Sequence, residues 1–426
     1  MKEQTTISKN KIKPAGNHWA VFIDNNSDKN ALLDSLLESK IVLAPFRFLS
    51  GLTGTLFSKL TLLKLIDEES RHGTSGITKA NSQSLQTMSS GEQKKILLTF
   101  LLESKPDYLI LDSPFDNLDK GSQKLLKDHL EAISTQTFLI QVISRKSDLL
   151  PLVTNYAYLE EQGLHVEQNL NIIQSKKIFS GFEGQIPKPL NTNDNSKRSS
   201  LIELKNVNVT YGDRPILKEV SWKIKPGEFW ELSGENGSGK TTILSMITGE
   251  NPKGYGQDLF LFGYKKGNGE SVWDIKKNIG YFTPAMTEKF TGFHSVEHMI
   301  ISGILDSIGL YVRPTEAQLR LAKEWLLLIN MWTMKDVLFH DLSMGQKRLI
   351  MTTRAMIKHP PLLILDEPTA GLDDQSASLL VSLVNKMAKE SNTSIIFVSH
   401  RTEPGLKPQY KFVLSKNDEG SKGKIV

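Results

Sequence analysis

Residues 229–249 read FWELSGENGSGKTTILSMITG, and the interpretation of this stretch decides the fold. FWELSG is a short apolar run closed by glycine, the pattern of a strand buried in a parallel sheet. KTTILSMITG then continues at helical spacing up to Gly249, which supplies a helix stop. Between them Gly234, Gly237 and Gly239, with Glu235, Asn236 and Ser238 interposed, allow backbone N–H groups to turn inward around an anion. Lys240 neutralises charge on a β- or γ-phosphate, Thr241 offers a hydroxyl to Mg²⁺, and Thr242 follows on the same turn. A nucleotide phosphate is the expected ligand.

Downstream, LLILDEP from Leu362 places Asp366 at the end of a second apolar strand. There it is expected to bind Mg²⁺, directly or through water, with Glu367 beside it to orient or deprotonate an attacking water. Without the loop upstream, an Asp-Glu pair in this position is a strand end and helix cap. TEAQLRLAKEWLLLI opens with a capping box, Thr315 to Gln318, and predicts a helix inserted between the two strands. The expected fold class is α/β, a P-loop core with an inserted helical subdomain.

The same order of motifs occurs earlier in the chain in weakened form. FIDNNSDKNALL, from Phe22, aligns with the phosphate loop, SSGEQKK from Ser89 with LSMGQKR from Leu342, YLILDSPFDNLD from Tyr108 with LLILDEPTAGLD, and VISRKSD with VSHRTEP. The offsets are 240 − 29 = 211, 343 − 90 = 253, 366 − 112 = 254 and 400 − 145 = 255. A duplication follows, with the first copy about 42 residues shorter between Lys29 and Ser90. In that copy Ile23 and Asp28 replace glycines, Asn30 and Ala31 replace the Mg²⁺-side hydroxyls, Ser113 stands for the glutamate and Arg145 for the histidine. This half is not expected to hydrolyse nucleotide on its own loop. Lys29 is expected at the surface or at a helix start. GQIPKPLNTNDNSKRSS reads as an exposed linker, giving a degenerate domain over 1–183, a linker over 184–200 and an intact domain over 201–426.

LSMGQ, between a phosphate loop and LLILDEP, resembles the signature sequence of ATP-binding cassette (ABC) ATPases, and the resemblance covers both halves. It implies ATP and Mg²⁺ as ligands, with the phosphate loop of one cassette and the signature of the other closing head to tail on one ATP. Carried over by motif, Tyr211 in VTYGDRPIL is the adenine-stacking aromatic, Gly371 to Asp373 the loop between cassettes, and His400 in FVSHR the γ-phosphate contact. Glu367, His400 and Lys240 are then the catalytic set. Thr241 and Asp366 bind the metal. Ser90, Gly91 and Gln93 of the first half would close over the phosphate held by Lys240, with Glu92 in place of a glycine as an objection. One chain would thus hold one complete composite site by intramolecular pairing. Pro284 departs from the family, which carries a metal-linking glutamine after this strand, and Met344 replaces the second signature glycine. More narrowly, NPKGYGQDLFLFG, GESVWDIKKNIGYFTP and SGILDSIGLY resemble tandem-cassette proteins associated with molybdate transport, also described as photorepair type.

Composition narrows the classes. A hydrophobic content of 39% and a charged content of 23% are those of a globular chain. The surplus of +5 charges is small for 426 residues and gives no strong nucleic-acid signal. With no cysteine, thiolate catalysis and cysteine-bound metals are excluded. The N-terminal stretch lacks the apolar core of a signal peptide, and no apolar run is long enough for a membrane span, so a cytoplasmic chain is expected, free or at the inner face of the membrane. The leading expectation is an ATPase serving a separate permease, received around His294 to Tyr311. The alternative is an ATP-gated switch acting on ribosomal or DNA-maintenance partners.

Overall fold

The computed structural model describes residues 17–38, 40–41, 43–72, 84–160, 163–167, 181–190, 198–290 and 292–426. The chain divides into two compact units, residues 1–116 with 122–176, and residues 117–121 with 177–426. In the first unit, strands β1 (His18–Phe22), β2 (Gly54–Phe57), β3 (Tyr108–Asp112), β4 (Phe138–Ile143), β5 (Val153–Glu160) and β6 (Gly163–Glu167) form one sheet in the order β2-β3-β4-β1-β5-β6. All pairs are parallel except β5 with β6. Every residue of β3 and β4 is buried, which is why they read as continuous apolar runs without alternation.

The second unit contains β7 (Ile202–Tyr211), β8 (Arg214–Ile224), β9 (Phe229–Gly234), β10 (Asp258–Leu261), β11 (Tyr264–Lys265), β12 (Ile279–Phe282), β13 (Leu362–Asp366), β14 (Ser394–Val398), β15 (Tyr410–Ser415) and β16 (Lys422–Ile425). Six of them form a sheet in the order β12-β13-β14-β9-β15-β16, the same permutation as in the first unit. The other four form an antiparallel sheet, β11-β10-β7-β8, which has no counterpart among the described residues of the first unit. Strand β9 sits between β14 and β15, so its C-terminal end opens at the crevice where α/β sheets bind ligands.

The duplication is written into the backbone as well. Three pairs of residues hold left-handed φ at a constant separation: Lys105 (49°) and His359 (48°), Ser113 (44°) and Glu367 (51°), Asn117 (59°) and Gly371 (73°), where 359 − 105, 367 − 113 and 371 − 117 all equal 254. The helices that follow the signature segments agree. Ser89 caps helix Ser90–Glu103 with Glu92 reaching back, and Ser343 caps helix Met344–Met356 with Gln346 reaching back. Here too 343 − 89 and 346 − 92 equal 254. This corrects the first-half signature by one position. Ser89 and Glu92, rather than Ser90 and Gln93, are the counterparts of Ser343 and Gln346, because the capping serine fixes the register. Gly91 pairs with Gly345, Ser90 with Met344, and the Gln93 amide donates to the Leu85 carbonyl at 2.8 Å. Glu92 therefore does not replace a glycine; its carboxylate accepts the Ser89 N–H at 2.8 Å.

Between β12 and β13 lie helices Pro284–Lys289, Val296–Ser302 and Glu316–Leu328. The last begins with the expected capping box of Thr315 and Gln318. Val296, Met299, Ile300 and Ile301 pack with Trp325 and Leu326 in one apolar core, while Leu305, Ile308 and Tyr311 remain exposed. The stretch read as an exposed linker departs from that reading at Ile186 and Pro187, which are buried. Ile186 joins Phe182 in the same core, and its N–H donates to Glu390 Oε2 at 3.1 Å. Residues 191–197 of that stretch lie outside the described residues. No helix among the described residues is long and apolar enough to cross a membrane.

Candidate nucleotide site

Where β9 ends, the chain loops through 235–239 into helix Lys240–Ile247. The loop demands glycine on steric grounds. A side chain at Gly234 (φ 155°) would meet the Leu414 carbonyl oxygen at 2.6 Å, and one at Gly239 (φ 93°) would meet Leu217 Cδ2 at 2.6 Å. Lys240 folds back over the loop, its Nζ donating to the carbonyls of Gly234 at 2.7 Å and Glu235 at 3.0 Å. Burial lowers the Lys240 pKa, opposed by the charges of Glu367 and Asp366.

A pocket of about 420 Å³ opens over the loop. Asn236, Gly237, Gly239, Lys240, Thr241 and Thr242 line it from one side, and Asp366, Glu367 and His400 from the ends of β13 and β14. Burial first, and Glu367 second, raise the Asp366 pKa to about 6, against the pull of Lys240 and the Tyr281 hydroxyl. Burial also raises the Tyr281 pKa, as does Asp366 beside it. Glu367 stands in the left-handed region and accepts a contact from His400, Nδ1 to Oε2 at 2.9 Å. With Nδ1 engaged, Nε2 is left buried with no hydrogen-bond partner among the described residues. Such an arrangement holds one nitrogen ready for an added ligand. Thr241 and Asp366 supply the hydroxyl and carboxylate that Mg²⁺ takes when phosphates and water complete its shell, so the donor set fits that ion.

Not every expected residue faces this pocket. Gly234, Glu235 and Ser238 belong to the loop but not to its lining. Tyr211 also lies outside the lining; its hydroxyl accepts from the Asn251 amide at 2.8 Å, and Lys253 Nζ stands 5.6 Å from its ring centroid. Three lining residues escaped the sequence reading: Arg214, Ile216 and Asn117. Arg214 pairs with Tyr211 across the β7–β8 turn, so proximity to that aromatic was the available signal. Segment 117–121 counts with the second unit, where Asp119 Oδ2 accepts the Asn236 N–H at 3.1 Å and the Asn117 carbonyl accepts its amide at 3.0 Å. The repeat held that signal, since 371 − 117 and 373 − 119 both equal 254.

In the first unit the corresponding loop is satisfied by its own side chains. Lys29 opens helix Lys29–Leu37, as expected, and its Nζ lies 3.1 Å from both oxygens of Asp112. Asp28 caps that helix by accepting the Ala31 N–H at 3.0 Å. Asp24 accepts the Asn26 N–H and the Ser27 hydroxyl, both at 2.9 Å, and the Tyr158 hydroxyl at 3.1 Å. A carboxylate thus takes the role an anion would play at a helix N-terminus.

The permuted parallel sheets and the glycine loop define a P-loop nucleotide-binding protein with two cassettes in tandem. The ABC transporter family model matches residues 217–370. The ABC transporter ATP-binding protein ModF of Escherichia coli (strain K12) is 38% identical over 343 residues, which cover 77% of this chain and 69% of that protein. An uncharacterized ABC transporter ATP-binding protein of Schizosaccharomyces pombe (strain 972 / ATCC 24843), C323.04, is 29% identical over 332 residues, 74% of this chain and 66% of that one. The chain belongs to the ABC family of ATP-binding proteins. Among solved structures, the complex of archaeal ribosomal stalk protein aP1 with the ribosome recycling factor aABCE1 gives a TM-score of 0.62 at 13% identity, over 96% of this chain and 85% of that one, a likeness of fold.

Proposed function

We propose that the chain binds and hydrolyses MgATP at a single site. Lys240 and the loop amides hold the β- and γ-phosphates, and Thr241 with Asp366 would hold Mg²⁺, which supplies charge neutralisation when bound. Glu367 accepts a proton from the attacking water as the bond from water oxygen to γ-phosphorus forms and the bond to the β-phosphate oxygen breaks, releasing ADP. His400 keeps Glu367 oriented through Nδ1 and turns Nε2 toward the γ-phosphate. The observation that carries this reading is the Glu367–His400 contact of 2.9 Å lining the same pocket as Lys240 and Thr241. Segment Ser89 to Gly91 of the first half is read as completing this site, with Tyr211 on the adenine.

The output is read as work on a partner, a separate permease with molybdate or a related anion as cargo. The family description and the printed name of the E. coli relative favour transport. Phe293 (84% exposed) and Tyr311 (76% exposed) offer apolar surface in the helical subdomain to such a partner. The deciding experiment is steady-state ATPase activity of wild type beside Glu367→Gln and Ser90→Arg. Turnover in wild type and its loss in both variants is expected. ATP binding without turnover would replace this reading by that of a nucleotide-gated switch. Recovery of activity on mixing Lys240→Ala with Ser90→Arg chains would show pairing between chains.

A further inference from the structure

Arg348, on helix Met344–Met356, is only 5% exposed and makes no ion pair among the described residues. A guanidinium in that setting is costly, and burial brings its pKa down to about 10. Its two arms reach different elements. Nη1 donates to Thr287 Oγ1 at 3.0 Å, on helix Pro284–Lys289, and Nη2 donates to the Ala370 carbonyl at 3.4 Å, in the turn after Glu367. The group lies over the Phe282 ring, 5.5 Å from its centroid, while Nε has no hydrogen-bond partner among the described residues. The turn is closed by the Ala370 N–H donating to the Glu367 carbonyl at 3.1 Å and is held on its other side by Thr369 Oγ1 donating to Glu403 at 2.6 Å.

The first half supplies a built-in comparison. Lys94 is the counterpart of Arg348, since 348 − 94 = 254, and its Nζ donates to the carbonyls of Pro114 and Asp116 at 2.7 Å each. Asp116 is in turn the counterpart of Ala370, since 370 − 116 = 254. Both halves therefore grip the same carbonyl with a cation. The half with Ser113 uses a lysine that stays on the turn; the half with Glu367 uses an arginine whose second arm leaves it. That arm lands on a helix whose first residue, Pro284, has no side-chain amide to offer.

We propose that Arg348 is a positioning residue that ties the Glu367–Leu372 turn to helix Pro284–Lys289, so that the setting of Glu367 follows the helical subdomain. The inference rests on the reading of Glu367 as the group that handles the water. Its test is a double-mutant cycle of Arg348→Lys, which keeps a donor for Ala370, with Thr287→Val, which removes the other acceptor. Steady-state ATPase kinetics and hydrogen exchange of the peptide spanning 367–373 are read on all four proteins. Each single variant is expected to lose roughly three- to tenfold in kcat with KM for MgATP within about twofold, and the double to lose no more than either single. Exchange at 367–373 should quicken in both. Unchanged kcat and exchange in both variants, or losses that simply multiply, would overturn the proposal. If wild type does not turn over, the hydrolytic reading fails, and the exchange rates alone decide: quickening in both singles without further gain in the double upholds the tie, and unchanged rates refute it.

Discussion

Asp366 and Lys29 show how the same kinds of group serve different ends in the two halves. Burial and Glu367 raise the Asp366 pKa to about 6, so the folded chain holds this proton more tightly than the unfolded chain. The stability contributed by the protonated form is complete below about pH 4 and is lost as pH rises through 6. Asp366→Asn is therefore expected to melt above wild type at pH 7.5 without nucleotide, to lose that advantage toward pH 4, and to bind MgATP more weakly, as thermal denaturation and equilibrium binding would record. Lys29 has the opposite signature. Its ion pair with the nearly buried Asp112 makes Lys29→Ala a folding lesion of about 1–3 kcal/mol in denaturant titrations, with ATP affinity unaltered. Lys240→Ala should do the reverse, removing ATP binding at little cost in stability. The glycine positions and the pocket-lining Lys240, Thr241 and Asp366 were legible in the sequence because each carries a steric or charge requirement. The Arg214 and Asn117 contributions were not, since a hairpin turn and a segment far away in sequence must fold before they face the loop.

Helix starts were the most legible elements. Thr315 and Gln318 announce helix Glu316–Leu328 through reciprocal side-chain to backbone bonds, which need no tertiary context. Thr315→Ala is expected to cost about 1 kcal/mol in a denaturant titration while leaving kcat unchanged, because the cap is exposed and remote from the pocket lining. The first-half signature was legible only to within one residue. The doublet Ser89-Ser90 can be aligned two ways as letters, and only the cap, with Glu92 reaching back to Ser89, chooses between them. The 184–200 stretch misled for a related reason: its composition is that of an exposed linker, yet Ile186 finds cover on a core formed by distant helices and Pro187 beside it is buried as well.

At the scale of the molecule, the duplication was readable from motif order alone, and the two sheets repeat one permutation of strands. The antiparallel sheet β11-β10-β7-β8 belongs to the second unit, and residues 1–16 lie outside those described. Among the described residues the second unit pairs an open glycine loop with a pocket, whereas the loop at 24–29 is closed by Asp24, Asp28 and Asp112. Equilibrium binding is accordingly expected to give one ATP per chain, falling to none in Lys240→Ala. A second equivalent of bound ATP in wild type would mean that the self-satisfied loop opens for nucleotide after all.

The left-handed backbone at Ser113 carries one more consequence. Ser113 holds a conformation that ordinarily costs of order 1 kcal/mol or more, at 44° beside the 51° of Glu367, and its N–H donates to the Val142 carbonyl at 3.0 Å as that of Glu367 does to Val398 at 3.0 Å. The two halves thus keep one turn geometry under different side chains. Restoring this half would thus be lopsided: the turn is already shaped to present a glutamate at 113, whereas the dozen residues from Phe22 to Leu33 would need rebuilding as a glycine loop and the stretch between Lys29 and Ser90 would still be about 42 residues short.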